Sequence, residues 1–244
     1  MKKTIYLLAI TVITIGCVIY GLYENTTGFL FSFGIGNSDY NIEESATLDP
    51  FQNITVDADV MEIVIEEGLT YTLSYKGTEN LIMSYRVENG ELIISQESEK
   101  SVVRNCKAVL ALTVPKEAEF DTVDIAIDVG DVKLNKIKIG SMELKTDVGE
   151  IAVRGTDFEQ ATIESDTGDV DLEECSFINL DVSCDVGDIE IDSNDDISEY
   201  AYDIKTEIGE VEIGEVDYGR KYYKEGQNGT IIIWNDCGDI TIND

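Results

Sequence analysis

Asp128-Val129-Gly130-Asp131-Val132 recurs as Asp147-Val148-Gly149-Glu150-Ile151, as Asp166-Thr167-Gly168-Asp169-Val170 and as Asp185-Val186-Gly187-Asp188-Ile189. It returns as Glu207-Ile208-Gly209-Glu210-Val211 and Asp236-Cys237-Gly238-Asp239-Ile240, so the glycines are spaced 19, 19, 19, 22 and 29 residues apart. A fixed period of this length is the signature of a repeat architecture. Five residues before each glycine stand Ile125, Leu144, Ile163, Val182, Ile204 and Ile233. Two after it come Val132, Ile151, Val170, Ile189, Val211 and Ile240. Apolar positions alternate with period 2 on both sides, which predicts two strands. Their inward parity is odd before the glycine and even after it. A strand changes its buried face only by absorbing a residue, so the glycine marks a corner or bulge.

Three residues before the glycine the column is mostly small or polar: Ile127, Thr146, Ser165, Cys184, Thr206 and Asn235. Nine residues after it a further column holds Ile139, Phe158, Phe177 and Tyr218, which predicts an aromatic ladder on another wall. A 19-residue unit cannot bury its inner face alone, and stacking consecutive units in parallel register does so. The expected fold is therefore all-β: a single-stranded parallel β-solenoid of about 19 residues per rung. Weaker echoes extend it toward the N-terminus. Glu88-Asn89-Gly90-Glu91-Leu92-Ile93-Ile94 fits the template, as does Asp59-Val60-Met61-Glu62-Ile63-Val64-Ile65 with methionine at the glycine position. Val109 to Val114, ending at Pro115-Lys116, reads as a strand followed by a turn.

The N-terminus has a different character. Thr4 to Tyr23 is an uncharged stretch behind Lys2-Lys3. As a helix its 20 residues span about 30 Å, the thickness of the hydrocarbon core. Basic residues on the short leading side place the N-terminus in the cytoplasm and the remainder outside. A cleaved signal peptide and a lipoprotein anchor at Cys17 are the alternatives, but no A-x-A-like site is present. Threonine rather than leucine also heads Thr14-Ile15-Gly16-Cys17. The expected organisation is a transmembrane helix over residues 1–23, a juxtamembrane linker over 24–49 and a β-solenoid domain over 50–244. Gly28-Phe29-Leu30-Phe31-Ser32-Phe33-Gly34 in the linker reads as a cap on the first rung or as a surface-lying segment. The corresponding localisation is a single-pass bacterial membrane protein with its C-terminal domain extracellular.

Charge restricts the partners. The formal net charge is −33, from 50 acidic and 17 basic residues, with no histidine. Such a surface repels nucleic acid and anionic headgroups and favours cations, basic proteins or neutral glycans. The five cysteines contain no CxxC and have no histidine to join them, which argues against zinc. A disulfide framework has no support in their spacing.

In these respects the chain resembles the bacterial putative-adhesin family. The residues that carry the likeness are Phe51-Gln52-Asn53-Ile54-Thr55-Val56, Asn89-Gly90-Glu91-Leu92-Ile93-Ile94, Leu112-Thr113-Val114-Pro115-Lys116 and the serial Gly-acid-aliphatic corners up to Ile240. The resemblance implies a cell-envelope β-solenoid, usually behind a membrane anchor and often encoded near envelope-stress regulators. It implies no catalytic residues. The acid two residues before each glycine departs from the family pattern, where Ser, Thr or Asn is expected.

Two acidic columns flank the corner: Asp128, Asp147, Asp166, Asp185, Glu207 and Asp236 on one side, and Asp131, Glu150, Asp169, Asp188, Glu210 and Asp239 on the other. Equivalent residues in a parallel stack lie about 4.8 Å apart. Each neighbouring pair then repels by roughly 0.9 kcal/mol even at the dielectric of water. A hard divalent cation, calcium above all, bridging Asp128, Asp131, Asp147, Glu150, Asp166, Asp169, Asp185 and Asp188 would relieve this. Solvated faces that serve solubility and edge protection are the plainer alternative. Paired aspartates also occur in glycan-cleaving β-helices. Yet only Arg86, Arg104, Arg154 and Arg220 are present as arginines, and none recurs within the acidic columns. The sequence thus points away from an enzyme and toward a membrane-anchored envelope binding or scaffold module, possible partners being an envelope protein or a glycan. A calcium-stabilised passive spacer is the alternative. Tyr200, Tyr202, Tyr218, Tyr222 and Tyr223 cluster where the 22- and 29-residue intervals interrupt the repeat, and loops inserted there are candidates for contact.

Overall fold

The computed structural model describes residues 40–98 and 107–243. Within them every regular element is a strand, and no helix is long and apolar enough to cross a membrane. The Thr4–Tyr23 span, the Gly28–Gly34 segment, Cys17 and Cys106 lie outside the described residues.

Each repeat contributes one strand before the glycine corner and one after it. On one face of the solenoid, β8 (Glu119–Val129), β10 (Lys138–Val148), β12 (Asp157–Thr167) and the second half of β13 (Val170–Val186) stack in parallel. On the other face β9 (Val132–Asn135), β11 (Ile151–Arg154), the first part of β13 and β14 (Ile189–Ser193) do the same. Register follows the period: Ile125 pairs with Leu144, Leu144 with Ile163, and Ile163 with Val182. All four are buried. The parity change at the corner is as the sequence requires, since Ile127 and Val132 are both buried while Asp128 and Val129 are exposed. Because this column is dry, Val182→Asp strands a carboxylate in an apolar stack and is expected to cost several kcal/mol. Ser183→Asp, on the exposed side of the same strand, is expected to cost under about 0.5 kcal/mol. Urea denaturation of the two variants checks this, and equal losses would mean the faces are misassigned.

The stacking is not consecutive at either end. The last strands in the chain, β19 (Thr230–Cys237) and β20 (Ile240–Asn243), insert between the β13–β14 rung and the rung of β15 (Ala201–Ile208) and β16 (Val211–Ile213). Likewise β2 (Asn53–Val60) and β3 (Glu62–Gly68) lie between β8–β9 and the rung of β6 (Glu91–Ser98) and β7 (Ala108–Pro115). The expectation of a wholly parallel, sequentially stacked solenoid is corrected here: the middle is parallel, while both ends are closed by antiparallel strands. β5 (Leu81–Glu88) and β4 (Thr72–Gly77) cover one end, and β18 (Lys221–Lys224) and β17 (Val216–Asp217) cover the other. β1 (Ile42–Thr47), within the 24–49 segment, pairs antiparallel with β4. Antiparallel caps hide the strand edges on which a stack would otherwise keep growing.

Two finer readings also change. Asn89 and Gly90, both at positive φ, form the two-residue turn joining antiparallel β5 and β6 rather than a solenoid corner. The aromatic column runs Phe120, Ile139, Phe158, Phe177, with Phe158 and Phe177 stacked at 5.4 Å. Tyr218 does not join it. Tyr200 closes it instead, edge-on to Phe177 at 6.2 Å and donating its hydroxyl to the Phe177 carbonyl at 2.7 Å. Tyr200 lies 13 residues after Gly187, four beyond the nine-residue offset of the column, so fixed counting from the glycine misses it.

Candidate binding surfaces

At the corner the glycines form a ladder. A Cβ on Gly149, Gly168, Gly187, Gly238 or Gly209 would come closer than 3.0 Å to the carbonyl oxygen of the glycine in the neighbouring rung. The same carbonyls are hydrogen-bonded from inside by the buried polar column. Thr146 Oγ1 donates to Gly130 O at 3.3 Å, Thr206 Oγ1 to Gly238 O at 3.0 Å and Asn235 Nδ2 to Gly187 O at 2.8 Å. Cys184 takes the same role through a longer contact to Gly168 O. Burial pushes the Cys184 and Cys175 thiols up to about 11, so both are inert hydrogen-bonding groups.

The acid after the glycine has a structural task. Its own amide points back toward the preceding rung, where the backbone offers no acceptor. Asp131 Oδ1 accepts from Glu150 N at 3.1 Å, Asp169 Oδ1 from Asp188 N at 2.9 Å, Asp188 Oδ1 from Asp239 N at 2.8 Å and Asp239 Oδ1 from Glu210 N at 2.9 Å. Lys133 takes the second oxygen of Asp131 at 3.3 Å and also reaches Glu62 at 3.2 Å. The other column, with Asp128, Asp147, Asp166 and Asp185, is fully outward. The structure therefore brings the proposed cation ligands together as two rows, one of them already engaged with amides. Among the described residues no three acids, cysteines or histidines converge as a metal-binding group. Between the rows runs an exposed aliphatic ridge, Val129, Val148, Val186 and Ile208, paired rung to rung through Thr167 and Cys237.

Repulsion along these rows remains. Slight desolvation of the outward Asp128 carboxyl, then its neighbours Asp147, Asp59 and Asp57, raise it above its ordinary value. Burial, then Asp131, raise Glu150, with Lys133 opposing, and burial followed by Glu164 raises Asp181. A carboxyl raised in the folded state binds its proton more readily there than in the unfolded chain. Stability is accordingly lowest above the raised values and is gained as pH falls through them toward the ordinary carboxylate range. We expect a higher thermal midpoint near about pH 5 than near about pH 8, with added sodium chloride narrowing the gap. A midpoint that drops steadily as the pH is lowered from about 8 to about 5 would contradict this.

A concavity lies at a different corner, where the chain passes from the second face back to the first. It is an open groove of about 740 Å³ crossing successive rungs, floored by the buried Phe120, Ile139, Phe158 and Phe177. Glu119, Asp121, Asp157, Glu159, Asp195 and Asp196 line it, against one cation, Lys138. Lys138 sits 3.7 Å from Glu119. Sequence reasoning missed this groove because its acids share no motif with the glycine corners. The tyrosine cluster holds together in part: Tyr222 packs on Tyr218 at 4.3 Å and edge-on to the buried Tyr202 at 5.5 Å, while Tyr200 is buried against Phe177 and Tyr223 is exposed.

Residues 51–243 match the family described as Toastrack DUF4097. Among solved structures, a putative cell adhesion protein from Clostridium sporogenes is 15% identical, covering 83% of this chain and 98% of that one at a TM-score of 0.38. A putative adhesin from Bacteroides fragilis is 17% identical, covering 82% and 96% at a TM-score of 0.49. One from Parabacteroides distasonis is 10% identical, covering 82% and 96% at 0.35. None of these names is that of an enzyme. No protein of curated function matches the chain at a significant level.

Proposed function

From the premise that this chain belongs to the Toastrack DUF4097 family, we propose that it is a non-catalytic binding and scaffold module of the bacterial cell envelope, held at the membrane by its N-terminal segment with the solenoid outside. The observation that carries this reading is the groove. It is assembled from three adjacent positions repeated across successive rungs, as an extended partner requires, and not from a single constellation of unlike groups, as a reaction requires. Its carboxylates outnumber its one lysine, so it suits a basic, extended segment of an envelope protein. The uncharged Thr4–Tyr23 stretch supports the tether.

Two measurements test the proposal. Protease added to intact, wall-stripped cells is expected to digest the solenoid and leave the N-terminal segment in the membrane; a fully protected chain would sink the topology. Crosslinking from intact cells is expected to capture an envelope protein with the native chain. The combined Glu119→Lys, Asp157→Lys and Glu159→Lys variant is expected to lose it while remaining folded, since all three side chains are exposed. Unchanged capture would remove the groove from the account.

A further inference from the structure

On the outer surface of the first face, the row four residues before each glycine reads Ala126, Lys145, Glu164, Ser183, Trp234, Lys205 in stacking order. The adjacent row reads Asp124, Glu143, Thr162, Asp181, Ile232, Asp203 and continues onto β18 at Tyr223. Both rows are small, polar or charged except at the β19 rung, which carries Trp234 and Ile232, and at Tyr223 on β18. Trp234 is the only tryptophan of the chain and is 61% exposed, and Tyr223 is 70% exposed. Aromatic side chains bury large areas when they find a partner, so two left out on one flat sheet, while the Phe column is fully packed, mark a surface kept for contact.

Register fixes their placement. Trp234 is opposite Lys205, which is opposite Lys221; Ile232 is opposite Asp203, which is opposite Tyr223. The two aromatics are thus two strands apart and offset by two residues, roughly 12 Å at standard sheet spacings. Between Tyr223 and Ile232 the surface dips into a depression of about 330 Å³, which Asp203, Glu225 and Thr230 also line. Charge here differs from the rest of the molecule. Asp181, Asp203, Glu207, Glu225 and Asp236 are partly offset by Lys205 and Lys221, with Lys224 nearby, whereas the chain as a whole has 50 acids against 17 bases. Lys205 pairs with Glu207 at 3.0 Å, and Lys224 donates to the Ser198 carbonyl.

We propose that Trp234 and Tyr223 form a platform for a neutral oligosaccharide of equatorially substituted pyranose rings. Such rings present an apolar C–H face to an aromatic side chain and a rim of hydroxyls to its surroundings. Asp203 accepts from those hydroxyls, Lys221 donates to them, and Ser183 does either. The mixed acids and lysines around the aromatics disfavour an anion and leave an uncharged ligand well accommodated. The separation of the aromatics suits two non-adjacent rings of one extended chain, with the depression holding a ring beside Tyr223. This site rests on the binding-module reading but is distinct from the groove.

The test uses the full chain with cellohexaose and chitohexaose as probes. Because Trp234 is the sole tryptophan, its emission reports the site directly, and a saturable change with at least one probe is expected. Calorimetry of Trp234→Ala and of Tyr223→Ala should show binding weakened at least about tenfold. Their thermal midpoints should stay close to that of the native chain, because both side chains are exposed. No emission change with either probe, or undiminished binding by Trp234→Ala, overturns the platform. Loss of an envelope-protein crosslink in Trp234→Ala without oligosaccharide binding would make the surface a protein site and equally overturn it. If Trp234→Ala abolishes oligosaccharide binding but the groove variant still captures its protein partner, the platform stands and the groove falls. If the groove variant loses envelope capture, Trp234→Ala keeps it and neither probe binds, the platform fails and the binding-module reading survives without it.

Discussion

Gly168→Ala is expected to unfold the solenoid, or to leave so little stability that no cooperative transition survives at room temperature. The added Cβ would meet the carbonyl oxygen and carbon of Gly149 and the amide nitrogen of Glu150. All three are backbone atoms of a rung already fixed on both sides, so no side chain can swing away. The φ of +145° is a second penalty, because an L-residue with a Cβ rarely adopts it. Relief requires lifting the Gly168 rung from the Gly149 rung, which breaks the ladder bonds from Gly149 N to Thr167 O and from Ile151 N to Asp169 O. A loss above about 4 kcal/mol follows, in the range reserved for severe mechanisms. Gly214→Ala is the control. That glycine has φ +62° in a terminal turn with nothing within 4 Å of the added Cβ. It should cost only the local backbone term, about 1–2 kcal/mol. Circular dichroism melts of the two variants decide the matter; similar midpoints would show that close approach between rungs does not govern the corner.

That contrast also shows what a sequence of this kind discloses. The glycine columns, the two strand parities and the dry positions from Ile125 to Ile233 were legible because they repeat and because burial imposes period 2. The reason for glycine was only half legible. Parity alone asks for a bulge, but the contact with the carbonyl of the next rung exists only once rungs are stacked. The acid after the glycine invited a metal reading for the same reason: sequence shows the charge and hides the amide of Glu150 or Asp188 that the carboxylate receives. Trp234 was overlooked because its row is visible only when Thr230–Cys237 is set beside Ser183 and Lys205, and neither neighbour is close in sequence. Asn89-Gly90 imitates the corner motif, yet its flanks, Leu81–Glu88 and Glu91–Ser98, pair with each other. Every rung offers its neighbours the same pattern, so periodicity cannot specify which rung stacks on which.

The order of stacking has its largest consequence at the C-terminus. Removing residues 229–244 deletes β19 and β20, a rung that is internal in space although last in sequence. Ile231, Ile233, Ile240 and Ile242, each at 0% exposure, leave the core with it. At about 1.5–3 kcal/mol for each buried aliphatic side chain, the loss is roughly 6–12 kcal/mol. That is comparable to the whole stability of a domain. The deletion also uncovers β13 and β14 on one side and β15 and β16 on the other, two open parallel edges in the middle of the stack. Re-pairing is the competing outcome, since β13 and β15 present matching registers to β19: Val182 and Ile204 both oppose Ile233, and Val186 and Ile208 both oppose Cys237. Direct closure would have to slide the end cap of β17 and β18 down one rung and refold the segment from Asn194 to Tyr200. Tyr200 is anchored there by its bond to Phe177 O, and Tyr202 by its bond to Ile197 O. The anchored segment opposes closure, so the truncated chain is expected to aggregate or to lose its cooperative transition. A synthetic peptide of residues 227–244 added during refolding should restore that transition by filling the gap as a donated strand pair. A truncated chain that melts at the native midpoint without the peptide would show that consecutive rungs close directly, and that the inserted rung is dispensable to the solenoid.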